Sequence, residues 1–180
     1  MDMNRMTVKL QEALQSASSL AMRRGHQGID VEHLLLALME QEGGIAESLL
    51  EQAGVSPAAV RQAAEQALSK VAQVHGPGAA PGQIHLTPRL GSLLTKAEDR
   101  MKELRDDFVS VEHVILAMAE EGGVFRRLNL TPERLLTALQ QVRGNQRVTS
   151  QDPEGTYQEL EKYGRDLTKL AAQGKLDPVI

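Results

Sequence analysis

Two short runs in this chain place an acid beside an imidazole, Glu32-His33 and Glu112-His113. Carboxylate and imidazole are the groups of general acid–base chemistry and of metal ligation, and both runs stand in the same local setting, Val-Glu-His. Neighbours on a helix project roughly 100° apart, so the two members of each run are not expected to converge on one ion or one substrate atom. No His-Glu-x-x-His string and no cysteine accompanies them, which removes the common zinc patterns and all thiol chemistry. Ser16, Ser18 and Ser19 lie in a helical pattern with no histidine at catalytic spacing and no strained turn, and read as a solvated face. A phosphate loop needs glycine amides around the phosphates followed by Lys and Ser or Thr, and no G-x-x-x-x-G-K-[ST] string occurs. No catalytic residue, metal ligand or cofactor is therefore assigned to this chain.

The acid–imidazole runs recur because the elements that carry them recur. Shifting the sequence by 80 positions places Thr7 on Thr87, Leu10 on Leu90, Leu14 on Leu94, Ala17 on Ala97 and Val31-Glu32-His33 on Val111-Glu112-His113. The match continues through Leu36 on Leu116, and after a one-residue slip Gly43-Gly44 meet Gly122-Gly123. Two copies of one helical unit account for this order of landmarks. Each copy parses into four helices. In the first, Met6, Leu10, Ala13, Leu14, Ala17, Leu20 and Ala21 make the apolar stripe of a helix that ends near Gly25. Asp30 caps a second helix, Val31 to Glu42, apolar almost all round and therefore expected to be central and buried. Gly43-Gly44 is expected to stop it. Ile45 to Ala53 forms a third, and Ser56-Pro57 opens a fourth whose inward face is Val60, Ala63, Ala64, Ala67, Leu68 and Val71. The second copy follows suit, with Thr87-Pro88, Ser110, Gly122-Gly123 and Thr131-Pro132 as its punctuation and Gly144 as its end. No segment reads as a strand. The fold class is all-α: an eight-helix pseudo-twofold duplication of a four-helix unit, followed by a C-terminal linker helix.

The expected division is a first repeat over 1–74, a Gly/Pro-rich connector over 75–85, a second repeat over 86–144 and a flexible polar linker over 145–156. Residues 157–180 hold a further helical pattern, Tyr157 to Gln173, and an extended Pro178-Val179-Ile180 that points to another domain downstream. With 41% hydrophobic side chains, 24% charged ones and a net charge of −4, the 180 residues suffice for a core without disulfide or metal staples. The acidic balance, a pI near 5.8 and only four aromatic residues argue against nucleic acid as a partner. No apolar run approaches the roughly 18 residues of a membrane span, and the first twenty lack a secretory pattern, so no membrane contact and a cytoplasmic address are expected.

The doubled unit, its Val-Glu-His-Leu-Leu-Leu-Ala-Leu central helix, the Gln41-Glu42-Gly43-Gly44 stop and the Ser-Pro cap resemble the N-terminal domain of Clp/Hsp100 ATPases over residues 1–145. The tail from Arg143 through Tyr163 to Asp177-Pro178-Val179-Ile180 is similar to the linker into the first nucleotide-binding domain of the ClpB-type disaggregases. That resemblance implies a monomeric fragment of a homohexameric AAA+ motor that threads unfolded or aggregated polypeptides through a pore in cooperation with the DnaK chaperone system. ATP and magnesium would belong to domains downstream. It also implies that Thr7, Asp106 and Glu112 handle substrate, to which symmetry adds Glu32. The residues themselves suggest an adaptable apolar groove for substrate binding, lined by Leu93, Ala97 and Met101 with Val111 across the loop, and Leu93 is the position at which family grooves match. The bland reading of the same polar positions is structural, with Thr capping a helix and Glu complementing a helix dipole. The same residues also resemble a ClpC-like proteolytic ATPase, whose N-terminal domain would dock adaptors or a modified arginine.

Overall fold

A computed structural model describes residues 2–73, 84–144 and 146–153. The expected connector up to residue 83, and everything assigned to 154–180, including the linker helix and the start of an ATPase domain, lie outside the described residues. After a 3-10 turn at Met3–Arg5 come α1 (Val8–Arg23), β1 (Gly28–Ile29), α2 (Val31–Glu40), α3 (Ala46–Gln52) and α4 (Pro57–Ser69). The second half supplies β2 (His85–Leu86), α5 (Pro88–Glu103), α6 (Val111–Glu121), α7 (Gly123–Arg127) and α8 (Pro132–Arg143). The described chain is thus helical in the two sets of four that the repeat predicts.

Equivalent caps produce equivalent starts. Thr7 and Thr87 are extended residues whose Oγ1 atoms accept from the amides of Leu10 and Leu90, three residues on, which satisfies one free donor at the mouth of α1 and of α5. The central helices α2 and α6 are buried over nearly their whole length, as their unbroken apolar composition requires. Around them α1 packs on α2 and α5 on α6, while α3 packs on α8 and α4 on α7. The third helix of each half therefore rests on the fourth helix of the other, and neither half has a complete core alone.

Several boundaries differ from expectation. α2 stops at Glu40, two residues early, because Gln41 turns extended and donates its side-chain amide to the Lys9 carbonyl, while Lys9 Nζ donates to the Glu42 carbonyl. α4 buries Val60, Ala64 and Leu68, but Val71 lies past its end and is exposed. Ser56 makes no side-chain cap bond, leaving Pro57 to begin the helix with its fixed φ. Two strands exist where none was expected: β1 and β2 pair in parallel, with Gly28 opposite His85 and Ile29 opposite Leu86. Two residues are too few to show alternating hydrophobicity, so the pairing is a tertiary product. It requires glycine at 28, where a Cβ would sit 2.9 Å from Thr87 Cγ2. The pairing also has a symmetric mate. The Thr87 amide donates to the Ile29 carbonyl at 3.1 Å, and the Thr7 amide donates to the Val109 carbonyl at 2.9 Å.

Beyond Gly144, residues 146–153 of the expected flexible linker run back over the domain. Val148 is fully buried, its amide donating to Asp106 Oδ1 and its carbonyl accepting from the Asp107 amide. Arg147 donates to the Arg105 carbonyl. Further on, the Gln151 carbonyl accepts from the Val8 amide at 2.7 Å and its side chain donates to the Asn4 carbonyl. A polar stretch can be fixed when its backbone finds partners and one apolar residue finds the core. Replacing Val148 with Ala should lower unfolding stability in urea by about 1.5 kcal/mol, at about 0.8 kcal/mol for each of the two buried carbons removed.

Candidate functional site

Starting a helix inside a core leaves its first amides without water, and the third residue of each central helix answers this in the same way. The Asp30 amide donates to His33 Nδ1 at 2.9 Å, and the Ser110 amide donates to His113 Nδ1 at 2.8 Å. An accepting Nδ1 leaves Nε2 as the protonated nitrogen of a neutral imidazole, and this nitrogen needs a buried acceptor. In the first half the acceptor is His26 Nδ1, 2.8 Å away. In the second it is Asp106 Oδ2, 2.7 Å away. His26 and Asp106 are themselves 80 positions apart, so one architectural slot holds a neutral partner in one half and a charged one in the other.

The charge brings further residues with it. Arg143, from the end of α8, grips Asp106 with both terminal nitrogens, at 2.8 and 2.5 Å, and lies 3.2 Å from Glu112 Oε1. Glu112 also accepts from Ser110 Oγ at 2.7 Å. The side chains of Asp106, Glu112 and His113 are wholly buried. Burial opposes ionisation of Asp106 most strongly, yet the hydrogen bonds from His113, Arg143 and the Val148 amide, with the charge of Arg143, hold its pKa down at about 2. His113 is pushed down by burial, with Asp106 opposing and Arg143 adding to the shift. His33 is lowered to about 4, first by burial and then by His26.

Contrary to the expectation of divergence, Glu112 and His113 do converge: with Asp106 they offer three ligand atoms within 4.8 Å of one another. The long Glu112 side chain folds back to Ser110, which overcomes its angular offset on the helix. Arg143 already supplies positive charge to the same oxygens. Glu32 has a different partner. Arg89 places Nη1 2.9 Å from both Glu32 oxygens and Nε 2.5 Å from Glu121, joining α2 of one half to α5 and α6 of the other. Neither glutamate acts through the helix dipole alone.

Of the residues expected to handle substrate, Asp106 and Glu112 meet in one cluster. Thr7 is buried at the cap of α1, where its amide donates to the Val109 carbonyl, while Glu32 stands at the Arg89 clamp. Leu93, Ala97, Met101 and Val111 are no more than 2% exposed and belong to the core, so they do not line an open groove. The open groove on α5 is on the adjoining face. It has a volume of about 450 Å³ and lies between α1 and α5. Met6, Ile29 and Leu94 form its nearly buried floor and Leu14 a half-buried wall, with exposed Met3 and Leu86 as lips. Gln11, Gln15, Gly91 and Thr95 also line it, and none of its ten described lining residues is charged. Two other clefts, of about 450 and 410 Å³, are by contrast lined in part by Glu40, Glu47 and Arg61, and by Arg23 and Glu40. The expected groove and this one share α5 and differ in the face they use; Leu14 recurring as Leu94 is the sequence signal for the second face.

A duplicated helical domain with a neutral apolar cleft between its halves, and no helix among the described residues long and apolar enough to cross a membrane, is the class that the geometry defines. Residues 5–129 match the family described as Clp repeat (R) N-terminal domain, and the chain belongs to that family. Along its whole length it is 49% identical to the chaperone protein ClpB of Bacillus cereus, of which it spans 21%. Among solved structures it is similar to the Hsp104 N-terminal domain from Candida albicans, with a TM-score of 0.71 at 20% identity, covering 83% of this chain and 98% of that one. It is also similar to a ClpV N-domain solved in complex with a VipB peptide, with a TM-score of 0.60 at 21% identity, covering 76% of this chain and 86% of that one. The chain spans about a fifth of the length of the curated relatives it matches.

Replacing Arg143 with Met leaves two buried carboxylates without their cation and should destabilise the domain by about 3–5 kcal/mol in urea titrations. The imidazoles give a pH signature of defined sign. A histidine whose folded pKa lies below its unfolded 6.5 takes up protons more readily when unfolded, so stability is complete above pH 6.5 and declines as pH falls toward His33's value of about 4. Asp106 adds a further loss only below its unfolded pKa of 3.8, as pH approaches 2. Thermal melts should therefore show a falling midpoint between pH 6.5 and 4, and a flat profile there would show that His33 is not held neutral.

Proposed function

We propose that this chain is the substrate-catching domain of an ATP-driven disaggregase, holding unfolded or aggregated polypeptide in the groove between α1 and α5 and passing it to a motor downstream. The observation that carries the reading is the groove itself: apolar, uncharged and open, in a chain in which 24% of residues are charged. Misfolded proteins share exposed apolar side chains rather than a sequence, and flexible Met3 at the lip provides adaptable surface for such varied contacts. The peptide complex of a ClpV N-domain, similar in fold, supports a peptide-binding use of this architecture. The match to ClpB relatives along the whole chain favours disaggregation over the adaptor-docking use of a ClpC-like protease.

In this reading Thr7, Leu93, Asp106, Glu112 and Glu32 are positioning residues. Thr7 and Leu93 fix α1 and α5, Asp106 and Glu112 hold the start of α6, and Glu32 joins the halves through Arg89. The parent would be a cytoplasmic homohexamer that binds ATP and magnesium in other domains and works with the DnaK system. A small groove on one domain of a ring gains from local concentration, so weak affinity suffices.

Titrating unfolded casein into the labelled chain should shift the amide resonances of Leu14, Leu86, Leu94 and Thr95. Adding charge to the exposed walls with Gln15→Glu and Thr95→Glu should weaken that binding by about fivefold or more, about 1 kcal/mol, with the melting temperature nearly unchanged. Shifts centred on Asp106 and Arg143, or none, would overturn the assignment.

A further inference from the structure

The groove straddles the pseudo-twofold axis. Its lining residues pair across the two halves at the repeat interval of 80: Met6 with Leu86, Gln11 with Gly91, Leu14 with Leu94 and Gln15 with Thr95. The same interval relates the backbone contacts beside it, where the Thr7 amide donates to Val109 and the Thr87 amide to Ile29. A half-turn about this axis carries the groove approximately onto itself. For an extended chain lying across the axis the same operation exchanges the N-terminal and C-terminal ends.

Resting on the groove reading above, we propose that this site accepts a short, uncharged, apolar segment of unfolded polypeptide in both chain directions. Each apolar contact is available twice. A side chain that meets Leu14 in one direction meets Leu94 in the other, and one that meets Met6 meets Leu86. The polar rim is nearly as indifferent to direction: the Gln15 amide both donates and accepts, and the Thr95 hydroxyl, which donates to the Gly91 carbonyl, keeps its lone pairs to accept. Neutral walls suit a neutral occupant, because a charged side chain would lose water here without gaining a counter-charge. A volume of about 450 Å³ fits a few side chains and falls within the roughly 300–1,000 Å³ of clefts that take small ligands. Folded surfaces are too broad for it.

The symmetry is imperfect in ways that set a scale. Among the described residues Ile29 lines one side only, since Val109, its repeat mate, is fully buried. Gln11 is held by its bonds to the Met3 and Met6 carbonyls, whereas at Gly91 a Cβ would meet nothing within 4 Å. One direction is therefore preferred, but modestly: the two should be populated within tenfold of each other, a difference below about 1.4 kcal/mol.

The test uses the 180-residue chain and a ten-residue peptide with a Leu-Ala-Leu-Ala-Leu centre and Gly-Ser flanks, carrying a nitroxide at one end or the other. Paramagnetic broadening is read at the amides of Met6 and Leu86, which stand at equivalent places on opposite sides of the axis. Two-way binding makes either label broaden both amides, with rates within tenfold, and Gln15→Glu with Thr95→Glu reduces all four effects together. If moving the nitroxide from one end to the other moves the broadening wholly from one amide to the other, the peptide binds in a single direction and the inference fails while the groove reading stands. Absence of broadening at both amides with either label overturns the groove reading and the inference together.

Discussion

Each half of this domain must begin a helix in its own interior, and an imidazole meets that demand. His33 and His113 accept the amide of the cap residue through Nδ1, which commits Nε2 to donate to something else inside. That second partner determines the character of each half. With His26 the result is a neutral pair that asks for nothing more. With Asp106 it is a buried carboxylate, and from it follow Arg143 at the end of α8, the orientation of Glu112 and the docking of Val148. Duplication gave two identical problems; the second solution drew the last helix and the segment after it into the core.

The interlock between the halves comes from the segments just before the caps. Residues ahead of α2 pair with those ahead of α5, and residues ahead of α6 with those ahead of α1. These crossings hold α1 and α5 on either side of the axis, with Ile29 and Met6 beneath the gap between them. The cleft is thus a by-product of joining two copies by their loops. Its neutrality is a matter of composition, since none of its ten described lining residues is an acid or a base.

Much of this was legible in the sequence. The recurrence of Val-Glu-His, of Thr at the first cap and of the paired glycines gave the duplication, and 3.6-residue periodicity gave the helices. Burial of α2 and α6 followed from composition alone. What escaped were relations between distant residues. Nothing local in Arg143 announces Asp106, and Arg89 carries no mark of joining Glu32 to Glu121. The two-residue strands were too short to show a period. Val148 sits alone in a polar stretch, where a single apolar residue ordinarily reads as solvent-exposed. Leu93 and Leu94 differ by only a fraction of a helical turn, and composition does not say which of two neighbouring leucines lies beneath an opening.

The path of residues 146–153 has a mechanical meaning. Having left α8 in the second half, the chain is fastened at Val148 to the loop at Asp106 and Asp107, then at Gln151 to Asn4 and Val8 in the first half. Tension arriving from beyond residue 153 loads the Gln151 bonds first and Val148 after them, so it is shared between both copies before it can reach α8.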